Sequence, residues 1–407
     1  MTSRADARRR SRILIIVQNL PVPFDRRVWL ECQALTTTGH DVTVVCPKGK
    51  GDPTHEVLDG VTLLKYPPYA PGGSALGFVL EYAYSFLATA WLVLRARVRG
   101  GRIDVLQACN PPDIFWPIAW LLRLLDKTRF VFDHHDLCPE LYESRFSEGG
   151  SLPHRGLLAL ERATFRTADH VVSTNESYAE VAIRRGGKDA SAVTVVRTGP
   201  DEDRLRRREP DPALRRGRAH LVAYIGVMGP QDGVDQAVRA AAHVVHELGR
   251  KDVSFTFMGS GDSHSDLVAL RDQLGLQDYV ELPGRVPDET VLGVLSTADI
   301  GLSPDPKNPL NDVSTMNKTL EYMAFELPVV AFDLKETKVS AAEAAVYVPS
   351  GDIAAYSRVI VELLDDSATR EQMGKIGRRR IEQELGWRYQ REAYVEVYDS
   401  LLQQTRV

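Results

Sequence analysis

The sequence predicts an α/β protein made of two doubly wound domains, each built on a parallel sheet. Three observations carry that reading. Apolar, β-branched runs alternate with amphipathic stretches along the whole chain. The runs are continuous in apolar residues rather than alternating, the pattern of parallel strands covered on both faces. The alternation breaks once, at Gly199–Arg218, a charged and proline-bearing stretch with almost no apolar content, and then restarts. With 407 residues, each half is long enough to bury its own core.

In order, the first-half strands are Ile13–Val17, Val42–Cys46, Val61–Leu64, Ile103–Leu106, Phe130–Asp133, His170–Ser173 and Val193–Val196. Helical patterns between them include Val28–Thr38, Pro112–Leu125 and Leu157–Thr167. After the break come Leu221–Ile225, Val253–Met258, Tyr279–Leu282, Asp299–Leu302, Val329–Phe332 and Ala345–Val348. The expected division is a first domain over 1–200, a linker over 201–218 and a second domain over 219–385. Ligands of such sheets bind outside the carboxyl ends of the strands, so a cleft between the domains is the expected site.

Composition narrows the function. Apolar content of 43% and charged content of 26% suit a globular protein in water, and a net charge of −5 gives no reason to expect nucleic acid as a partner. Four scattered cysteines form no CxxC pair, which fits a reducing cytoplasm and speaks against a disulfide framework or a zinc site. The basic stretch before Ile13 has no apolar h-region, so no secretory leader is expected; it is read as a disordered tail or as one weakly drawn to an anionic membrane. The segment 76–99 begins with an apolar run and ends among arginines. Glu81 cuts the clean run to Tyr82–Leu94, shorter than the ~20 residues a span needs. A buried helix and a helix lying on the membrane surface both stay open.

Two stretches carry chemistry. In 302–332 a strand end, a polar loop, a short helix and another strand follow one another. Ser314 or Thr315 is expected to cap the helix, with Met316, Leu320, Met323 and Ala324 facing the core. Lys318, Glu321 and Tyr322 then project together from the other face. A helix N-terminus with a lysine suits a phosphate, and a glutamate one turn on can accept two ribose hydroxyls. A solvated Lys–Glu pair is the plainer alternative. The second stretch, Asp133–Glu140, follows a strand. Its two histidines and three acids suggest a metal, yet neighbours on an extended chain point to opposite faces, so convergence on one ion is not expected. The loop Val17–Pro21 after the first strand lacks the glycine fingerprint of a nicotinamide enzyme.

Ser314, Asn317, Lys318, Glu321, Tyr322, Met323 and Ala324 resemble the S-x-x-N-K-x-x-E-Y-M-A motif of GT-B glycosyltransferases of family 4, and Asp133–Glu140 resembles their D-x-H-E/D-x-x-P-E segment. The resemblance covers roughly residues 12 to 403. It implies two Rossmann-like domains facing a cleft, with the last helix, 386–407, packing back on the first domain. It implies transfer of a sugar from a UDP- or GDP-sugar, with retention and with neither metal nor cofactor. His135, Asp312 and Lys318 would be catalytic. Gly226, Met228, Gly259, Gly261, Arg285, Val286, Ser314, Asn317 and Glu321 would join Lys318 in binding the donor, and Asp25, Arg26, Asp113 and Asp136 would lie on the acceptor side. The expected acceptor is a sugar, first of all a lipid-linked saccharide of surface polysaccharide synthesis, handled in the cytoplasm or at the inner face of the membrane, with peripheral membrane contact through 76–99. Three departures stand out. Val227 and Asp232 replace the arginine and lysine of the usual G-R-x-x-x-x-K-G loop, Val313 stands where many members have a glutamate, and the loop Gln18–Glu31 lacks a glycine pair. A natural-product glycosyltransferase, a GT-B nucleotide-sugar epimerase and a non-catalytic nucleotide-sugar binder are the alternatives.

Overall fold

The computed structural model describes residues 10–69, 75–145, 151–202 and 204–404. The basic-tail expectation falls almost wholly on residues 1–9, outside the described residues. The chain divides into two compact units. Described residues of the first fall in 10–143, 151–196 and 391–404, and the second is built on Arg197–Gln390.

The first unit runs β1 (Arg12–Ile16), α1 (Arg26–Thr37), β2 (Asp41–Pro47), β3 (His55–Leu58), β4 (Val61–Tyr66), α2 (Ala75–Gly100), β5 (Val105–Cys109), α3 (Trp116–Asp126), β6 (Arg129–His134), α4 (Cys138–Arg145), α5 (Ser151–Thr167), β7 (His170–Ser173), α6 (Glu176–Arg184) and β8 (Val193–Val195). Its sheet has the order β3-β4-β2-β1-β5-β6-β7-β8, parallel throughout except where β3 pairs antiparallel with β4. β1 is central and registers Ile13 against Val42 on one side and against Val105 on the other. The edge strand β3 was not expected. Its four residues are mostly exposed, so no apolar run announces it.

The second unit runs β9 (His220–Ile225), α7 (Val234–Ala242), β10 (Val253–Met258), α8 (His264–Gln273), β11 (Val280–Gly284), α9 (Asp288–Thr297), β12 (Ile300–Ser303), α10 (Asn317–Ala324), β13 (Val329–Phe332), α11 (Lys335–Ala341), β14 (Ala345–Val348), α12 (Ile353–Asp365) and α13 (Ser367–Arg380). The sheet order is β11-β10-β9-β12-β13-β14, every pair parallel. β9 explains why its run is continuous in apolar residues: Val222 and Tyr224 enter the core on one face, Leu221 and Ala223 the core on the other.

A final helix, α14 (Trp387–Gln404), starts in the second unit and passes to the first at Arg391. The stretch 201–218, read as a linker, is fastened to the second unit. Leu205 is buried there, and Arg208 and Arg215 pair with Glu289 and Asp299. Its charges are partners for the unit's own acids, which is why it looked coreless in sequence. Among the described residues, no helix is long and apolar enough to cross a membrane.

Candidate functional site

In a doubly wound sheet the crevice forms where strand order reverses, at the carboxyl ends of the two central strands. In the first unit these are β1 and β5. Asp25 caps α1, accepting from the Val28 N–H at 3.1 Å. Four residues apart on that helix, Arg27 and Glu31 share a face and are both buried. Arg27 donates through Nη2 to Asp133 Oδ1 at 2.9 Å and through Nη1 to the Val196 carbonyl at 2.7 Å, and its Nε lies 3.0 Å from Glu31 Oε1. Asp133 lies in β6, and His135 two residues on returns to the same face with Nε2 2.6 Å from Asp133 Oδ2. The same Nε2 lies 2.9 Å from the Nε of Arg27, so Arg27, Asp133 and His135 meet at one ring nitrogen. The Gln107 amide donates to Glu31 at 2.8 Å and to Asp133 at 3.0 Å. Its carbonyl oxygen accepts from the hydroxyls of Tyr394, at 2.6 Å, and Tyr398.

The electrostatics separate the two carboxyls. Burial opposes ionisation of Asp133, yet Arg27 and His135 outweigh it and hold the carboxyl well below its usual range. Burial and the Asp133 charge drive Glu31 well up, against the pull of Arg27. The charge therefore sits on the carboxylate that touches His135. Ligand atoms of Glu31, Cys109, Asp133 and His135 do lie within 4.8 Å of one another, contrary to the expectation that this stretch would not converge. These residues do not fit an ion. The Arg27 guanidinium already supplies the positive charge, and burial pushes the Cys109 thiol well up, away from the thiolate a metal needs.

The other residues expected on this side divide. Asn110 accepts through Oδ1 from the backbone N–H groups of His135, at 2.6 Å, and Asp136, at 3.0 Å, fixing that turn. Asp136 accepts from the Leu137 N–H at 3.0 Å. Asp113 is buried and accepts an N–H from Asn110 at 3.2 Å, with Oδ2 making no hydrogen bond. Burial lifts its carboxyl to about 7. Arg26 is exposed, and it is Arg27 that the network uses. Sequence reasoning missed Glu31, Gln107 and both tyrosines; the spacing of Arg27 and Glu31 on one helix face was the available signal.

In the second unit the reversal lies between β9 and β12. The loops after β9 and β10 close on each other: Gly259 has φ 149°, and a Cβ there would lie 1.8 Å from the Gly226 carbonyl oxygen. Lys318, near the start of α10, runs along Gly226 and is buried, with Nζ 2.5 Å from Asp305 Oδ1. Asp305 Oδ2 accepts from the Ser303 hydroxyl at 2.8 Å. Asp305 is a second residue that sequence reasoning missed here. Asn317 is exposed at the first turn and Glu321 is partly exposed one turn on.

Three expectations are corrected in this unit, and the surroundings of Asp312 are narrowed. The helix cap is Met316, with no side-chain hydrogen bond, and the Ser314 hydroxyl donates instead to the Leu310 carbonyl at 2.8 Å. Tyr322 does not project outward; its ring is buried over Gly301 and its hydroxyl donates to the Leu302 carbonyl at 3.0 Å. Met228 is buried in the core, with its backbone paired to Ser260 and Ser263. Asp312 accepts through Oδ1 from the Lys335 N–H at 2.9 Å and pairs with Lys307 at 3.1 Å, so only Oδ2 is left to meet a sugar hydroxyl. At position 232 the aspartate turns inward and accepts from the Gly229 N–H at 2.9 Å. Gly261 packs under Met228, Arg285 is exposed, and Val286 packs against the core at the end of β11.

Comparison with known proteins accounts for both halves. Residues 25–199 match the glycosyl transferase 4-like domain and residues 219–366 match glycosyl transferases group 1. The chain is similar to a 2-deoxystreptamine glucosyltransferase from Streptomyces kanamyceticus, 25% identical over 248 residues that cover 58% of this chain and 61% of that protein. Thus the match spans about three fifths of that relative's length. In fold it resembles sucrose-phosphate synthase from Thermosynechococcus elongatus, with TM-score 0.76, 18% identity, and coverage of 97% of this chain and 100% of that one. It also resembles Alr3699/HepE from Anabaena, solved in complex with UDP-glucose, with TM-score 0.69, 15% identity, and coverage of 96% and 99%.

Proposed function

Because the chain belongs to the group 1 glycosyltransferases, with the GT-B architecture, we propose that it transfers a sugar from a nucleoside-diphosphate donor to an acceptor hydroxyl. The observation that carries this reading is the convergence, at the strand-order reversal of the second unit, of Lys318, the α10 N-terminus and the glycine-lined loops after β9 and β10. In the proposed reaction the bond from the anomeric carbon to the diphosphate oxygen breaks, a bond to the acceptor oxygen forms, and the acceptor proton passes to the departing diphosphate. Lys318 and backbone N–H groups stabilise the charge that develops there, and no metal or cofactor is required. Glu321 binds the ribose, the free oxygen of Asp312 and the Nδ1 of His135 orient the donor sugar, and the outcome is retention. Alr3699/HepE, which has this fold and holds UDP-glucose, favours a UDP-sugar over a GDP-sugar as the donor.

For the acceptor we favour a lipid-linked saccharide, handled at the inner face of the membrane. A small natural-product aglycone is the second reading, favoured by the 2-deoxystreptamine relative. Binding without transfer is favoured by Val227 and Asp232, which leave the loop after β9 without a cation, and by the pairing of Lys318 with Asp305.

The test is a thermal-shift panel of nucleoside diphosphates and nucleotide sugars, followed by assay of diphosphate release. A shift with one base and one sugar, with release on turnover, supports transfer; a shift without release under any acceptor supports the binding reading. Lys318→Ala is expected to lower kcat by about 10²–10³-fold. An unchanged kcat removes Lys318 from the mechanism.

A further inference from the structure

Helix α2 is inverted in polarity. Ser85 and Thr89 are buried against the first unit, while Leu80, Leu87, Trp91, Leu94 and Val98 are exposed. Their spacing of three, four and seven residues puts those five on one narrow stripe, running most of a helix about 39 Å long. Trp91 retains 64% of its surface and Val98 73%. Ordinary burial would have turned this face inward.

Helix α3 lies beside α2. Phe86 stacks on Phe115 with ring centroids 6.5 Å apart, and Arg97 grips both oxygens of Asp126 at 2.8 Å. Its outer face is apolar too, with Trp120, Leu121, Leu124 and Leu125 exposed. Each of the two neighbouring helices thus presents an apolar outer face with an exposed tryptophan. Arg95, Arg99 and Lys127 stand exposed at the carboxyl ends of the pair and make no ion pair among the described residues. The nearby acids are spoken for: Asp126 by Arg97, and Glu81 by the Gln18 amide at 3.2 Å.

We propose that α2 and α3 form one membrane-docking face that lies in the interface of an anionic bilayer. Charge complementarity selects this occupant: on a chain of net charge −5, the exposed cations Arg95, Arg99 and Lys127 stand at the rim of an exposed apolar face. Tryptophans, with an apolar body and one N–H, suit the headgroup boundary, and the arginine and lysine stems reach from it to the phosphates. The face lies on rather than through the membrane, since neither helix qualifies as a span. Its purpose, but not its existence, rests on the lipid-linked acceptor reading.

The test is flotation of the full chain with vesicles of equal parts phosphatidylglycerol and phosphatidylcholine, and with pure phosphatidylcholine. Binding to the first only, weakened by salt, is expected. Replacing Arg95, Arg99 and Lys127 by alanine is expected to weaken it by roughly fivefold per cation, about a hundredfold in all. Leu87→Ser with Trp91→Ser, both on the outside of the helix, is expected to cost about tenfold each while leaving the melting temperature unchanged. No flotation at low salt overturns the proposal, as does equal binding to both vesicles. Lipid-independent dimerisation abolished by the serine pair also overturns it, assigning the face to a second copy of the chain. Donor-induced thermal shifts measured without vesicles report separately on the transferase reading.

Discussion

Two buried residues near His135 titrate in opposite senses, and their opposition is measurable. Asp113 has a carboxyl raised from 3.8 to about 7 by burial, so the folded state holds its proton while the unfolded chain releases it. Its contribution to stability is full below about pH 4 and is lost as pH rises towards 7. His134 is lowered from 6.5 to about 3 by burial and by Arg185, so here the unfolded chain binds the extra proton. Its contribution is full above about pH 6.5 and is lost as pH falls through that window towards 3. Asp113→Asn is therefore expected to stabilise the protein relative to wild type above pH 7 and to lose that advantage in acid. His134→Phe is expected to gain most in acid. Urea midpoints across the range read both difference curves, and parallel curves would refute the assignments. His134 has a second consequence. It sits among Phe132, Phe165 and Tyr178 at centroid distances of 5.3, 5.1 and 5.2 Å, with neither ring nitrogen hydrogen-bonded. Removing an unsatisfied buried N–H is worth about 1–3 kcal/mol, so the phenylalanine variant should melt at least about 2 °C higher at neutral pH. A lower melting temperature would mean that the imidazole has a partner.

Helix α10 is the element on which the donor reading depends, and its seating is set by one glycine. Gly301 in β12 leaves room for the Tyr322 ring; a Cβ there would lie 2.4 Å from it. The ring is enclosed, so Gly301→Ala should shift α10 and cost about 1–3 kcal/mol, with weaker donor binding as the second readout. An unperturbed melting temperature would show that the ring has space to move. The same contact explains where sequence reasoning stopped. Helical spacing grouped Tyr322 with Lys318 and Glu321, but an eight-residue helix pressed on a sheet has little outer face, and a glycine one strand away decides what lies beneath it. Strands were legible for the converse reason. β5, β9 and β10 bury both faces, and a doubly buried strand has to be apolar at nearly every position. β3, at an exposed edge, has no such requirement. The motif around Lys318 was readable as chemistry, whereas Asp305 was not, because its partnership with Lys318 exists only after the loop between β12 and α10 has folded.

At the scale of the whole molecule, the two-domain alternation was legible from one end of the chain to the other, but the buried network at His135 was not. Gln107 is 287 residues from Tyr394 and 291 from Tyr398, and nothing local in either segment marks the other. A chain truncated after Gln390 should keep the second unit intact and leave the first open to protease, because Gln107 would lose both hydroxyl partners and the apolar cover of α14. Limited proteolysis checks this, and equal resistance of both units would refute it. The same helix gives the polypeptide a schedule. At a synthesis rate of about 5–20 residues per second, Tyr394 leaves the ribosome roughly 15–60 seconds after Gln107. The second unit closes from consecutive sequence once Gln390 is made, whereas the first, although mostly made earlier, still waits for Tyr394 and Tyr398. Order of birth and order of completion are thus reversed, and the half of the enzyme that carries His135 is finished last.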